Sequence, residues 1–88
     1  SMSKKITLKS GIKATLKEMS VDDFDKCMDA IVVDTVDGQP VIKNQFALST
    51  LWIRSGVESV DDKFIKSLSI DDRAELQVAI QDYNSLGE

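Results

Sequence analysis

The sequence of 88 residues contains no histidine and one cysteine, Cys27. Without histidine, neither a Ser/His/Asp nor a Cys/His catalytic arrangement can form, and the usual Cys/His zinc site is excluded. A lone cysteine also excludes an internal disulfide. The four glycines are dispersed, so the chain has no glycine-rich phosphate cradle or dinucleotide fingerprint. We therefore expect a protein that is not an enzyme, with no catalytic residue, no metal and no cofactor.

A basic excess and long apolar runs are also missing. Eleven Lys and Arg stand against fifteen Asp and Glu, which gives a net charge of -4, whereas a nucleic-acid binder needs a clustered positive face. No segment approaches the ~18 apolar residues of a membrane span. Lysines interrupt the first apolar stretch, which argues against a signal peptide. We expect a cytoplasmic protein that binds no nucleic acid, no membrane and no small-molecule substrate.

The length permits a single domain over residues 1–88, in which we interpret Ser1, before Met2, as a cloning remnant. Residues 6–18 alternate apolar and polar side chains about Ser10-Gly11, the period-two pattern of a β-hairpin. Because a lone hairpin is marginal in water, it must pack on the remainder, and residues 20–87 carry mainly helical patterns. The predicted fold class is α+β, an N-terminal β-hairpin packed on a small bundle of about four helices.

Helix starts are marked by three tetrads in which a serine and one apolar residue precede two aspartates, beginning at Ser20, Ser59 and Ser69. The serine hydroxyl can accept a free N–H, and the aspartates favour the positive end of the helix dipole. Asn44 is predicted to cap a further helix that ends just before Gly56. The predicted helices span residues 21–31, 45–55, 60–67 and 70–85.

The spacing of apolar residues along these helices predicts which side chains are buried. The first helix has one stripe, and the third and last helices each have an inward face. The expected inward residues are Phe24, Cys27, Met28 and Ile31, then Phe64, Ile65 and Leu68, then Leu76, Ala79, Ile80, Tyr83 and Leu86.

Residues 32–42 allow two interpretations. Asp37-Gly38 between β-forming residues predicts a second short hairpin. Pro40 weakens the returning strand of such a hairpin, so a long ordered loop is the alternative.

The helix at 45–55 is apolar almost all round its axis. Such a helix must be covered on most sides, either as the central element of the fold or, in part, by a partner or a second copy of the chain. The candidate partner-binding residues are Phe46, Leu48, Leu51, Trp52 and Ile53. The alternative is that all five belong to the core.

The order of these features resembles the family of small phage-encoded tail assembly chaperones. The residues that carry the resemblance are the opening segment 6–19, the Asp-rich helix start at 20–25, the helix at 46–57 and the ending at 80–88. In that family the protein is not an enzyme. It coats the long helical tape-measure protein so that tail-tube subunits polymerise around it, and it is absent from the finished virion. The resemblance implies an apolar helical client as protein partner, with a homo-oligomer as a further possibility, in the host cell cytoplasm.

Two other functions fit the same residues. A small acidic phage protein could inhibit a host or defence enzyme, with its aspartate pairs imitating a nucleic-acid backbone. A minor tail structural subunit would share the apolar helix surface but would persist in purified particles.

Overall fold

The computed structural model describes residues 2–84, which form two antiparallel hairpins and four helices. The predicted α+β class with an N-terminal hairpin is confirmed. None of the helices in this range has the length and apolar content needed to span a bilayer. In chain order the elements are β1 (Ser3–Thr7), β2 (Lys13–Lys17), α1 (Val21–Asp29), β3 (Val33–Val36), β4 (Gln39–Ile42), α2 (Gln45–Gly56), α3 (Asp62–Lys66) and α4 (Ile70–Tyr83).

The N-terminal hairpin begins at Ser3, earlier than the predicted residue 6, and pairs Ser3 with Lys17 at its open end. The strands are joined by residues 8–12, where the N–H of Leu8 donates to the carbonyl of Ile12 at 2.8 Å. Leu8 and Leu16 are almost fully buried, so this hairpin closes one side of the core. The outer edge of β2 is covered by the segment after α2, because the N–H of Glu58 donates to the carbonyl of Thr15 at 2.9 Å.

Two of the three predicted serine caps are confirmed. The Ser20 hydroxyl accepts the N–H of Asp23, and Ser69 forms a reciprocal capping box with Asp72. The prediction for Ser59 is wrong, because Ser59 adopts a φ of 56° in a turn and the helix begins two residues later than expected. Asp61 caps α3 instead, accepting the N–H of Phe64 at 2.8 Å.

Asn44 precedes α2, but its side chain makes no cap hydrogen bond to the helix. Its amide donates to the carbonyl of Ala30 at 2.7 Å, and its oxygen accepts the N–H of Val32 at 3.0 Å. Asn44 therefore anchors the connection between α1 and β3, a long-range contact that a local capping pattern cannot distinguish from a cap.

The helices are shorter than their predicted ranges at several ends. The predicted inward stripe of α1 is wrong at two positions, because Met28 is exposed within the helix and Ile31 is exposed beyond its end at Asp29. The inward residues of α1 are Cys27 and half-buried Phe24. α4 ends at Tyr83, and the predicted core residue Leu86 lies outside the described residues. The inward faces of α3 and α4 are otherwise confirmed, with Ile65, Leu68, Leu76 and Ile80 buried and Phe64, Ala79 and Tyr83 half-buried against them.

The centre of the core is the contact between α2 and α4. Gly56 is the last residue of α2, not the first residue beyond it, and its Cα lies directly against Ile80. The absence of a side chain at Gly56 therefore sets how closely the two helices approach. Trp52 of α2 packs against Phe24 of α1, with ring centroids 6.1 Å apart in an edge-to-face arrangement.

The second hairpin, β3–β4, forms as one of the two interpretations predicts. Asp37 and Gly38 have φ of 51° and 76°, the positive values of a type I′ turn. Pro40 pairs with Thr35. Because the backbone N–H of Lys43 donates to the carbonyl of Val32 at 2.8 Å, alternation along the ladder makes Thr35–Pro40 a non-hydrogen-bonded pair. The nitrogen of Pro40, which carries no hydrogen, thus faces away from β3. The hairpin therefore loses no hydrogen bond.

Candidate protein-docking surface

The structure separates the five predicted partner-binding residues. Leu48, Trp52 and Ile53 lie in the core, and Leu51 is half-buried against it. Only Phe46 of the five is broadly exposed, at 61%. α4 and α1 pack against α2 and cover much of its apolar surface, which explains why an all-round apolar helix fits so small a fold.

Phe46 lies on a groove of about 300 Å³ between the first turn of α2 and residues 70–78 of α4. Three further apolar side chains on this groove are exposed: Ile70 at 67%, Val78 at 55% and Ile42 at 39%. We call the groove and these four residues, with Arg73 on its wall, the docking groove. Single exposed apolar residues are ordinary, but a connected set around a concavity is characteristic of an interaction site.

The β3–β4 hairpin extends the same surface. Every residue from 31 to 43 is exposed, including Val33, Val36, Val41 and Ile42. Val33 and Ile42 are directly opposite each other, so they share one face of the hairpin, and Ile42 also lines the docking groove. The apolar surface is therefore continuous from the hairpin face into the groove.

Both edges of this hairpin are unsuited to pairing with another strand. On β4, Pro40 has no N–H to offer outward. On β3, the outward N–H of Thr35 donates to the carboxylate of Asp34 at 2.8 Å. Edge strands blocked in this way resist strand addition.

Arg73 fixes the wall of the docking groove. Its Nε donates to the hydroxyl of Ser49 at 3.0 Å, and its Nη2 donates to the carbonyl of Phe46 at 2.7 Å and to the hydroxyl of Thr50. The guanidinium carbon lies 5.9 Å from the centroid of the Phe46 ring, within range of a cation–π interaction. The periodic pattern of α4 gives no signal for this role, because every one of these partners lies on α2.

Several acidic residues make contacts within the fold. The pKa of Asp72 is lowered by hydrogen bonds from the Ser10 hydroxyl and the Ser69 N–H. The pKa of Asp62 is lowered by its hydrogen bond to Arg54 and by the charge of that guanidinium. Asp61 caps α3, so carboxylates from two of the three aspartate pairs, 61–62 and 71–72, make hydrogen bonds within the fold.

Cys27 is fully buried, and burial raises the pKa of its thiol. Its Sγ lies 3.9 Å from the Ser55 hydroxyl. A buried thiol held protonated is a poor nucleophile. Within residues 2–84 there is also no group of three or more Cys, Asp and Glu side chains placed to hold a metal ion.

Comparison with family models, with curated proteins and with solved structures gives no match to this chain.

Proposed function

We propose that the protein is a non-enzymatic assembly factor that binds an apolar helical segment of a client protein at the docking groove. The observation that carries the proposal is the continuous exposed apolar surface from Val33 and Ile42 to Phe46, Ile70 and Val78. The resemblance to tail assembly chaperones suggests a more specific form of the proposal, in which the client is a tape-measure-like protein. The complex would then form in the cytoplasm of an infected host cell.

The form of the surface favours a helix as occupant. A groove between two helices accepts a third helix along its length, with apolar residues at i, i+3, i+4 and i+7 as anchors. The blocked edges of β3 and β4 disfavour an extended segment. A contact of this kind depends on apolar burial and is therefore weakly affected by salt.

Inhibition of a nucleic-acid enzyme is less well supported. That function needs carboxylates free to imitate phosphates, whereas Asp61, Asp62 and Asp72 are engaged in caps or with Arg54. Inhibition of such an enzyme would also give the exposed apolar surface no role.

The test is affinity purification of the tagged protein from its native source during active production, followed by mass spectrometry at low and high salt. We expect a long helical protein to be retained at high salt and to be lost with Phe46→Ser. The matched control is Val21→Ser, which removes an apolar side chain of 75% exposure outside the docking groove. Retention of a nucleic-acid enzyme that is released by salt would contradict the proposal.

A further inference from the structure

Arg73 is the one charged residue among those that line the docking groove. Nε and Nη2 are used in hydrogen bonds to Ser49, Phe46 and Thr50, but Nη1 makes no hydrogen bond within residues 2–84. The ion pairs in the same range join Lys43 to Asp34 and Arg54 to Asp62. The described structure therefore provides no carboxylate partner for Arg73.

This charge affects what the groove can bind. A wholly apolar helix would cover the guanidinium and remove water from it without replacing the lost interactions, which is unfavourable. A helix that brings a carboxylate beside its apolar stripe would satisfy the remaining donor with a charge-assisted hydrogen bond. The contacts to α2 already hold the guanidinium in place, so little side-chain entropy is lost when the pair forms.

We propose that the client helix carries an aspartate or glutamate next to its apolar stripe, and that this carboxylate pairs with Arg73 while the stripe covers Phe46, Ile70 and Val78. The inference rests on the proposed function and names the chemistry of the segment bound. The net charge of -4 repels acidic segments at long range, so the selection is made by contact with Arg73 and not by the overall field.

The test uses synthetic amphipathic helical peptides of about 18 residues, long enough to have appreciable helicity when isolated. All share one leucine stripe. In each pair a single residue beside the stripe is Glu or Gln, and that position is moved along the helix from pair to pair. Binding to the full chain is measured by fluorescence anisotropy. We expect the Glu peptide of at least one pair to bind about five-fold more tightly than its Gln counterpart.

Variants of the protein assign that preference to Arg73. Arg73→Gln should abolish the preference, and Arg73→Lys, which keeps the charge but loses the planar fork, should retain part of it. Arg54→Gln is the matched control, because it changes the net charge equally at a guanidinium that is already paired with Asp62. It should leave the preference intact. Urea unfolding verifies that each variant is folded, and the reduced preference of Arg73→Lys decides the question should Arg73→Gln fail to fold.

The outcomes separate this inference from the proposed function. Equal affinity of the wild type for Glu and Gln peptides at every position, with binding still lost in Phe46→Ser, overturns the role of Arg73 and leaves the docking groove standing. A preference that survives in Arg73→Gln also overturns that role. Failure of every peptide to bind overturns the docking groove and the inference together.

Discussion

Gly56 shows how one residue sets the distance between two helices. A Cβ at this position would overlap Cγ2 of Ile80, which is fully buried and has little room to move. Overpacking of this kind forces side chains from their rotamers or separates the helices.

Gly56→Ala should therefore lower the free energy of unfolding by about 1–3 kcal/mol, as measured by urea denaturation. The matched test is the double variant Gly56→Ala/Ile80→Ala, in which the γ carbons are absent. We expect its loss of stability to be smaller than the sum of the two single losses. Strict additivity would contradict the close approach of α2 and α4.

Asp72 connects the first turn of α4 to its own cap and to the loop of the N-terminal hairpin. Its carboxylate accepts the N–H of Ser69 at 3.0 Å, and hydrogen bonds from Ser10 and Ser69 lower its pKa. Since the folded pKa lies below the ordinary value of about 3.9, the ionised carboxylate stabilises the fold above that value. This contribution is lost as the pH falls through the folded pKa.

Asp72→Asn should therefore reduce the urea midpoint near neutral pH, and its difference from wild type should shrink as the pH falls below about 4. Asp71→Asn is the control, because it removes the same charge from the neighbouring exposed position. Its urea midpoint should stay close to that of wild type throughout. Parallel pH profiles for wild type and Asp72→Asn would show that the carboxylate has no such role.

At the scale of elements, the two hairpins differ in what supports them. The N-terminal hairpin buries Leu8, Ala14 and Leu16, so it belongs to the core. All eight strand residues of β3 and β4 are exposed, and the turn at Asp37-Gly38 and the anchor at Asn44 fix the hairpin instead. The second hairpin can therefore be altered with little effect on the rest of the molecule.

Gly38→Val tests this independence, because a β-branched residue is strained at a φ of 76°. We expect the cross-strand amide and Hα contacts of residues 33–42 to weaken in NMR spectra, while the free energy of unfolding changes by no more than about 0.5 kcal/mol. Gly38→Asn, which tolerates positive φ, should preserve the hairpin. A large loss of global stability in Gly38→Val would mean that the hairpin supports the core.

At the scale of the molecule, the shape is elongated. The extents along the principal axes are 40 × 28 × 23 Å, and the Cα radius of gyration is 13.5 Å. A compact chain of this length has a radius of gyration of about 12 Å. The excess is consistent with an exposed arm that provides contact area outside the core.

Small-angle X-ray scattering should give a radius of gyration near the Cα value of 13.5 Å, increased only by side chains and hydration, if the chain is a monomer in solution. Replacing residues 34–41 with a short Gly/Ser loop should lower that radius. A scattering mass of two chains with a larger radius would instead establish the homo-oligomer that the sequence left as a possibility.

Local patterns along the chain were enough to predict several elements. Period-two alternation predicted the N-terminal hairpin, Ser20 and Ser69 marked two helix starts, and Asp37-Gly38 indicated a turn, because each signal depends on neighbouring residues. Which sides of α2 are covered depends on how the helices pack, so the sequence could not separate Phe46 from Leu48, Trp52 and Ile53. Packing of distant segments also makes Asn44 the anchor of a distant loop and Arg73 part of a groove wall. Burial and long-range hydrogen bonds depend on residues far apart in the chain, and a periodic pattern along one helix carries no information about what packs against it.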